Sequence, residues 1–335
     1  MSEETIPFVG IFVPLALALG YDSITGMGMV FVGAGVGFAS AMLNPFTVGV
    51  AKGIAETPLK AGMVYRTVVW IIITAFTIFY LMRYARKVKA NPQSSILYEH
   101  DIKRREELSI GKEKVEEEGF LLRHRLVLIT MLFGLGLIIF GVLKYEWYIE
   151  EIAAVFLGLG IVAGFIGKLS AGEIADYFIA GAKDMVSAAL VVGLANAIVI
   201  LCNDAKIMDT ILYGLAKLIE PLPTLLSGYV MLIVQTIINF FVGSGTGQAA
   251  LTIPIMYPLG ELVNIGRETT ILIYQFGDGF TNLIIPTSGV LMASLGMAKI
   301  PYDKWGKWGV KFLLIMFILE LILVTPAILF PWLLS

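Results

Sequence analysis

Hydrophobic residues in this chain fall into long runs separated by short polar stretches. Each run is near twenty residues, which is enough, or nearly so, to cross a hydrocarbon core of about 30 Å as an α-helix. The period-two alternation that marks a membrane β-barrel is absent. The pattern predicts an all-α, polytopic membrane protein. The runs cover about 24–43, 62–82, 126–143, 149–167, 185–203, 222–243 and 309–331.

Two stretches interrupt this pattern in the same way. Thr5-Ile6-Pro7 opens an apolar run that leads to Asn44-Pro45-Phe46-Thr47. Thr252-Ile253-Pro254 opens another that leads to Pro286-Thr287-Ser288-Gly289. Both place helix-breaking and polar residues inside membrane-grade sequence, where an uninterrupted helix avoids them. Paired interruptions in two halves of a chain point to a transporter binding site.

Composition supports the membrane assignment. The chain has 335 residues, of which 58% are hydrophobic and 15% charged, and its mean hydropathy is +0.85. Its formal charge of −2 gives no support for nucleic-acid binding. The single cysteine, Cys202, excludes a disulfide within the chain. Both histidines, His100 and His124, fall in the polar loop, which leaves little room for a transition-metal site.

A charged segment at 83–125 orients the protein. It holds 11 of the 24 Lys and Arg residues, mixed with eight acids. The positive-inside rule therefore predicts a solvated cytoplasmic linker here. It separates 1–82, the C-terminal part of a first repeat, from 126–335, a second repeat. Lys52, Lys60 and Arg66 then fall near the outer face and count against this orientation.

Two short apolar segments are predicted to be re-entrant. The arm 6–20 is too short to span and carries two prolines, so we expect it to be half of a hairpin entering from the cytoplasm. Segment 222–263 has two arms joined at Gly243–Gln248, and the second arm again carries two prolines. We expect a hairpin entering from outside, with two ordinary spans as the alternative. The repeats are then inverted.

The rest of the second repeat is predicted from the same orientation, with the linker 83–125 in the cytoplasm. Segments 172–184 and 206–220 are predicted to be amphipathic helices, the first interfacial and the second outside. Segment 268–297 is predicted to be a broken helix that runs inward, and 309–331 is the last span. Lys299, Lys304 and Lys307 then land in the cytoplasm, as the rule requires.

Broken helices in a bilayer are tolerated where they line a cavity or pack inside protein. Freed carbonyls and hydroxyls suit a hard cation, so we expect a Na⁺ site at backbone carbonyls near Thr47 and Thr287. The N-termini of half-helices favour a carboxylate. The alternative is a proline kink whose Ser and Thr side chains bond back to their own helix.

Asp278 is the most informative charge. Inside an apolar helix a carboxylate costs at least about 2.5 kcal/mol unless it is paired or solvated. It could carry a proton, bind a cation or meet a substrate ammonium, or it could form a structural pair between helices. Asn282, one turn later, faces the same side. Glu3 and Glu4 would lie at the tip of the cytoplasmic hairpin, unless they belong to a frayed terminus.

The candidate substrate- and ion-binding residues are Glu3, Glu4, Asn44, Pro45, Phe46, Thr47, Ser244, Gly245, Thr246, Gly247, Gln248, Asp278, Asn282, Pro286, Thr287, Ser288 and Gly289. We expect no cofactor beyond a coupling Na⁺ or H⁺, and no catalytic residue.

These motifs resemble the YfcC-like branch of the DcuC-type carriers, within the ion transporter superfamily that includes divalent anion/sodium symporters. The matching stretches are Ser2–Phe8, Leu43–Ala51, Ser244–Ala250 and Ile285–Gly289. The resemblance implies inverted repeats, two re-entrant hairpins, two unwound helices and elevator-type alternating access in a homodimer. Members are described as C4-dicarboxylate carriers or basic amino acid antiporters, which leaves the substrate open.

The start of the chain departs from the family pattern. The second repeat has about 115 residues before its hairpin tip, whereas Met1 lies almost at the corresponding tip of the first. We therefore expect a truncated gene model or a fragment. Without the missing arm, half of the site has no wall, which makes transport by this chain alone doubtful.

The sequence thus predicts a secondary active transporter of a small carboxylate-bearing metabolite in a bacterial-type inner membrane. Asp278 favours an amino acid, and exchange of basic amino acids would fit, while a C4-dicarboxylate is the alternative. An ion channel is a remote rival. An intramembrane aspartyl protease is another, because Asp22 and Asp278 both lie in membrane segments, but the Gly-x-Gly-Asp order of such enzymes is missing.

Overall fold

The computed structural model describes residues 5–44, 46–106, 121–145, 147, 149–207, 210, 214, 217, 219 and 222–334. Within these ranges the protein is helical and has no strand, which confirms the predicted all-α class. Contacts divide the chain into two compact units, Glu99–Ser187 and a larger unit formed by Glu4–Tyr98 and Ala188–Ser335. Every described residue of the candidate site belongs to the larger unit.

The helices are, in chain order, α1 (Ile6–Ala18), α2 (Ser23–Met27), α3 (Gly33–Ala39), α4 (Val48–Ile54), α5 (Met63–Ala90), α6 (Leu122–Tyr145), α7 (Ile149–Ile166), α8 (Ala171–Asp204), α9 (Thr224–Phe241), α10 (Gly245–Leu262), α11 (Arg267–Gly279), α12 (Gly289–Ala298) and α13 (Tyr302–Leu329). Among the described residues, α5, α9 and α13 are long and apolar enough to cross a membrane.

The first broken helix consists of α2, a π-helical stretch Gly28–Val32, α3 and then α4. It stops after Ala39, where the Ser40 hydroxyl donates back to the carbonyl of Val36 at 2.7 Å. Before the helix restarts, Asn44 Oδ1 accepts the amide of Phe46 at 2.9 Å. Such a side-chain turn competes with helical bonding, which explains the break.

The second broken helix consists of α11, a 3₁₀ turn Thr281–Leu283 and α12. Its freed carbonyls find donors on α13. The Trp305 indole donates to Leu283 at 2.9 Å, and the Tyr302 hydroxyl donates to Ile284 at 2.7 Å. The break is therefore a supported structure, since the backbone groups it frees have partners.

The helices around the two breaks pack reciprocally. Helix α1 packs against α12, and α10 packs against α4. The repeated sequence motif suggests that α1 corresponds to α10 and α4 to α12. The two helix contacts are then equivalent between the repeats. Between them lies the crossing of α3 and α11, where a Cβ at Gly279 would come within 2.3 Å of Ala39 Cβ. Only glycine allows this approach.

The predicted boundary between segments 172–184 and 185–203 is wrong. Segments 172–184 and 185–203 form one helix, α8, because no proline or other strong breaker separates them. The predicted amphipathic helix 206–220 lies largely outside the described residues. Side chains across most of 184–199 are likewise not described.

The segment 83–125 is also less solvated at its start than predicted. Helix α5 continues to Ala90, and the chain then folds back so that Leu97 is buried and the Ser95 hydroxyl donates to Asp22 at 2.7 Å. Asp22 also caps α2 through Thr25 and accepts from the Tyr84 hydroxyl. Its carboxylate therefore has a structural role, and it forms no dyad with Asp278.

Candidate functional site

The tip of the α9–α10 hairpin lies between the two helix breaks. On one side the Thr246 hydroxyl donates to the carbonyl of Phe46, at 2.7 Å. On the other, a Cβ at Gly243 would lie 3.2 Å from the carbonyl oxygen of Thr287. The three segments that the sequence singled out therefore meet in one place, although Thr246 and Phe46 are 200 residues apart in the chain.

Gly245, the first residue of α10, lies at the centre of this meeting. A Cβ built there would be 2.6 Å from Thr47 Cγ2 and 2.8 Å from Asp278 Oδ2. Its carbonyl accepts a hydrogen bond from the Tyr274 hydroxyl at 2.5 Å. The missing side chain at Gly245 keeps the space between Thr47 and Asp278 open.

Asp278 is fully buried, and neither of its carboxylate oxygens has a hydrogen-bond partner among the described residues. Thr47 Oγ1, close by, is also buried without a partner. Buried polar groups in native proteins are nearly always satisfied, and each exception calls for an explanation. Here three unpartnered oxygens belong to two side chains that flank one glycine, which is the arrangement expected of a ligand site.

The backbone next to Asp278 is held by two amides. Asn239, on α9, donates to the Asp278 carbonyl at 2.8 Å and to Thr281 Oγ1 at 2.6 Å. Asn282 donates to the same carbonyl at 2.8 Å. Asn282 therefore lies beside Asp278, and this hydrogen bond goes to the Asp278 backbone carbonyl.

Four predicted site residues have local structural roles. Ser244 caps α10 by accepting from the Gly247 amide at 3.2 Å, and Ser288 caps α12 by accepting from Leu291. Asn44 forms the turn described above. Gln248 donates to the carbonyl and the side chain of Gln235, and so ties the hairpin arms together. These side chains shape the site, and its unpartnered groups lie elsewhere.

The remaining candidates fall into two groups. Pro286 precedes the restart of the second broken helix, and Gly289 is the first residue of α12. Glu3, Glu4 and Pro45 lie outside the described residues.

A Na⁺ site at backbone carbonyls remains a prediction, and the structure adds detail to it. The Thr47 carbonyl accepts from Ala51 at 2.9 Å, and the Phe46 carbonyl accepts from Thr246. The hydroxyls of Thr47 and Thr287 are buried without partners. A hard cation would therefore find its unused oxygens on side chains, together with Asp278.

Lys52 and Arg66 are both 1% exposed, and both form ion pairs with Glu268. Lys52 Nζ lies 3.2 Å from Glu268 Oε1, and Arg66 Nε lies 3.6 Å from Oε2. The Lys52 ammonium also donates to three carbonyls, the shortest bond being 2.6 Å to Ala61. The positive-inside rule counts loop charges, so these two buried cations do not weigh against the orientation.

Sequence reasoning missed several residues that support the site. Asn239 and Gln235 lie one turn apart on α9, and amides at that spacing in an apolar run were the available signal. Gln275 donates to the Ala41 carbonyl at 2.8 Å and accepts from Arg66, which connects the first break to the Glu268 cluster. Tyr274 carried no signal, since a lone tyrosine in an apolar helix is common.

Comparison with known proteins fits this geometry. The model of the family described as C4-dicarboxylate anaerobic carrier (DcuC) matches residues 1–329. The chain is 40% identical over 338 aligned positions to an Escherichia coli K12 protein named "Putative basic amino acid antiporter YfcC", covering 98% of this chain and 66% of that protein. It is 31% identical to an uncharacterized Haemophilus influenzae Rd protein, covering 92% and 60% respectively.

The chain therefore spans about two thirds or less of the length of these relatives, 66% and 60%. No solved structure matches it. The family match and the apolar helices together assign its class and its location. The chain belongs to the C4-dicarboxylate anaerobic carrier (DcuC) family and is a multi-pass integral protein of the bacterial inner membrane.

Proposed function

We propose that this protein is a secondary active transporter of a small metabolite that carries both a carboxylate and an ammonium group, with basic amino acids as the leading substrates. The observation that carries the proposal is Asp278, fully buried and without a partner beside Gly245. An unneutralised carboxylate at a ligand site favours a cationic group on the ligand.

The carboxylate of the substrate would be held by the helices that begin at the site. Helices α10 and α12 start at Gly245 and Gly289, within three residues of the Gly243–Thr287 contact. The first amides of a helix have no acceptor within it, and their dipoles add to a partial positive charge. A zwitterion is thus complemented at both ends, with its ammonium on Asp278 and its carboxylate at these amides.

Transport would use either exchange or coupling to Na⁺ or H⁺. The hairpin tip touches both breaks, which supports an elevator-type movement that carries tip and breaks together, with the inverted repeats and homodimer that the family resemblance implies. The name of the Escherichia coli relative, a basic amino acid antiporter, agrees with this proposal.

A C4-dicarboxylate is the second candidate, favoured by the family description. Both of its ends are anionic, so one of them would meet Asp278 unless a cation binds between them. The unpartnered hydroxyls of Thr47 and Thr287 would help to hold such a cation. This candidate therefore requires Na⁺ or a protonated Asp278, and the amino acid does not.

Counterflow in proteoliposomes tests the proposal. The purified chain is reconstituted with internal arginine, and uptake of labelled arginine, lysine, alanine, aspartate and succinate is compared with that of empty liposomes. We expect saturable uptake of arginine or lysine without added Na⁺. Uptake of succinate alone, dependent on Na⁺, would support the dicarboxylate instead. A steady conductance without counterflow would indicate a channel.

A further inference from the structure

Another buried carboxylate, Glu320, lies in α13 and has no part in the fold contacts or the candidate site described above. All residues from Leu313 to Val324 except Glu320 are apolar. Glu320 is 3% exposed, on the same stripe of α13 as the buried Met316 and Val324. Among the described residues it has no hydrogen bond or ion pair. An isolated carboxylate in such a position is costly to ionise.

The described elements that pack against α13 offer Glu320 no counter-ion. Helix α13 packs against α9, α11 and the 3₁₀ turn Pro331–Leu334, and that turn has no titratable residue. On α9 the one titratable side chain, Tyr229, is hydrogen-bonded to Thr325 at 2.6 Å. The Tyr65 hydroxyl, on α5, donates to the carbonyl of Leu323.

The charged groups of α11 and α5 nearby already have partners. Arg267 pairs with Glu261, and Glu268 pairs with Lys52 and Arg66. The Tyr274 hydroxyl donates to Gly245, and Tyr80 and Tyr84 pack edge-on against Trp308. Asp278, on α11, is an acid and cannot serve as a counter-ion for Glu320. Glu320 therefore has no ion pair with a described residue of α9, α11 or the turn Pro331–Leu334.

Glu320 lies on a helix that packs against two elements of the candidate site. Helix α9 is the first arm of the hairpin, and α11 carries Asp278. Glu320 lies towards the end of α13 where Thr269 donates to Ala327 at 3.0 Å, while the break lies at the other end, where Trp305 meets Leu283. Glu320 thus lies on the buried stripe of a helix that packs against both α9 and α11.

We propose that Glu320 is the proton-binding carboxylate that couples transport to a pH gradient, separate from the substrate carboxylate Asp278. This inference rests on the proposed transport function. A proton taken from water on one side neutralises Glu320 and lets α13 pack tightly against α9 and α11. When the proton leaves to water on the other side, the ionised carboxylate requires hydration and loosens that interface.

The test uses Glu320→Gln, which removes the titration and keeps the size of the side chain. In proteoliposomes, exchange of labelled arginine should stay within about twofold of the unmodified chain, while uptake driven by a pH gradient should fall at least about tenfold. Glu320→Asp should keep the response to the gradient. Glu150→Gln, at an exposed position on α7, is the matched control and should change neither.

A second readout does not depend on transport. Infrared difference spectra of the unmodified chain against Glu320→Gln should show a protonated carboxyl band at neutral pH that Glu150→Gln retains. An unchanged response to the gradient in Glu320→Gln, or the absence of that band from the difference spectrum, would overturn the proposal. If no substrate is exchanged by any variant but the band is present, the transport function fails while proton binding at Glu320 stands.

Discussion

Helix α11 carries a buried carboxylate near each end, and the two have opposite surroundings. Glu268, in its first turn, lies within 3.6 Å of two buried cations. Asp278, in its last turn, has no ion pair among the described residues, and its two carboxylate oxygens are buried. Burial alone thus does not distinguish a structural carboxylate from a binding one. The difference lies in whether the protein itself supplies the counter-charge.

The comparison predicts that replacing Glu268 lowers stability more than replacing Asp278 or the residues around it. Glu268→Gln leaves Lys52 and Arg66 buried without their anion, which should lower the free energy of unfolding by about 3–5 kcal/mol. Thermal unfolding in detergent measures this. Glu261→Gln breaks the exposed pair with Arg267 and should cost at most about 1 kcal/mol. Equal effects of the two variants would show that the buried cluster is not structural.

The open space beside Asp278 depends on Gly245. Gly245→Ala places a methyl group 2.6 Å from Thr47 Cγ2, and overpacking of this kind should cost about 1–3 kcal/mol and reduce substrate binding. Gly306→Ala is the control, because a Cβ there has no neighbour within 4 Å. Thermal unfolding and binding of labelled arginine are the measurements. Unchanged binding in Gly245→Ala would place the ligand elsewhere.

The contact between the hairpin tip and the first break should have a smaller effect. Thr246→Val removes the hydrogen bond to the Phe46 carbonyl, which is worth about 0.5–1.5 kcal/mol, whereas Thr246→Ser retains it. Hydrogen exchange of the tip amides should speed up in the valine variant alone. The same protection in both variants would mean that this bond does not hold the tip.

Asp278→Asn should have the smallest effect on stability. It removes a buried charge that has no partner, so the unfolding temperature should stay the same or rise, in contrast to Glu268→Gln. A functional site commonly gains stability when its strained group is replaced. Asp303→Asn, at an exposed position on α13, is the matched control. A fall in unfolding temperature as large as that of Glu268→Gln would show that Asp278 has a structural role.

The helix breaks could be predicted from the sequence, because they depend on residues that are close together in the chain. Asn44, Pro286 and Ser288 lie at the helix breaks as predicted, because a missing amide and short polar side chains act within one turn. The pairing of Glu268 with Lys52 and Arg66 could not be read, since the partners are over 200 residues apart. Lys52 and Arg66 were therefore counted as loop charges under the positive-inside rule, although both are buried in ion pairs.

Two further residues, Gln248 and Glu320, were interpreted wrongly or overlooked for different reasons. Gln248 has the residue type of a ligand group, but its bonds to Gln235 depend on how the hairpin arms face each other, which no spacing reveals. Glu320, by contrast, was detectable. The rule that singled out Asp278, a lone carboxylate in an apolar helix, applies equally to it.

Equilibrium binding of arginine to Asp278→Asn tests the central claim most directly. If Asp278 supplies the counter-charge for a substrate ammonium, its loss removes a charge-assisted bond worth about 1.5–3 kcal/mol, and affinity should fall about 10- to 100-fold. Asp303→Asn should bind as the unmodified chain does. Arginine binding to Asp278→Asn that is unchanged, with the fold intact by thermal unfolding, would contradict the claim.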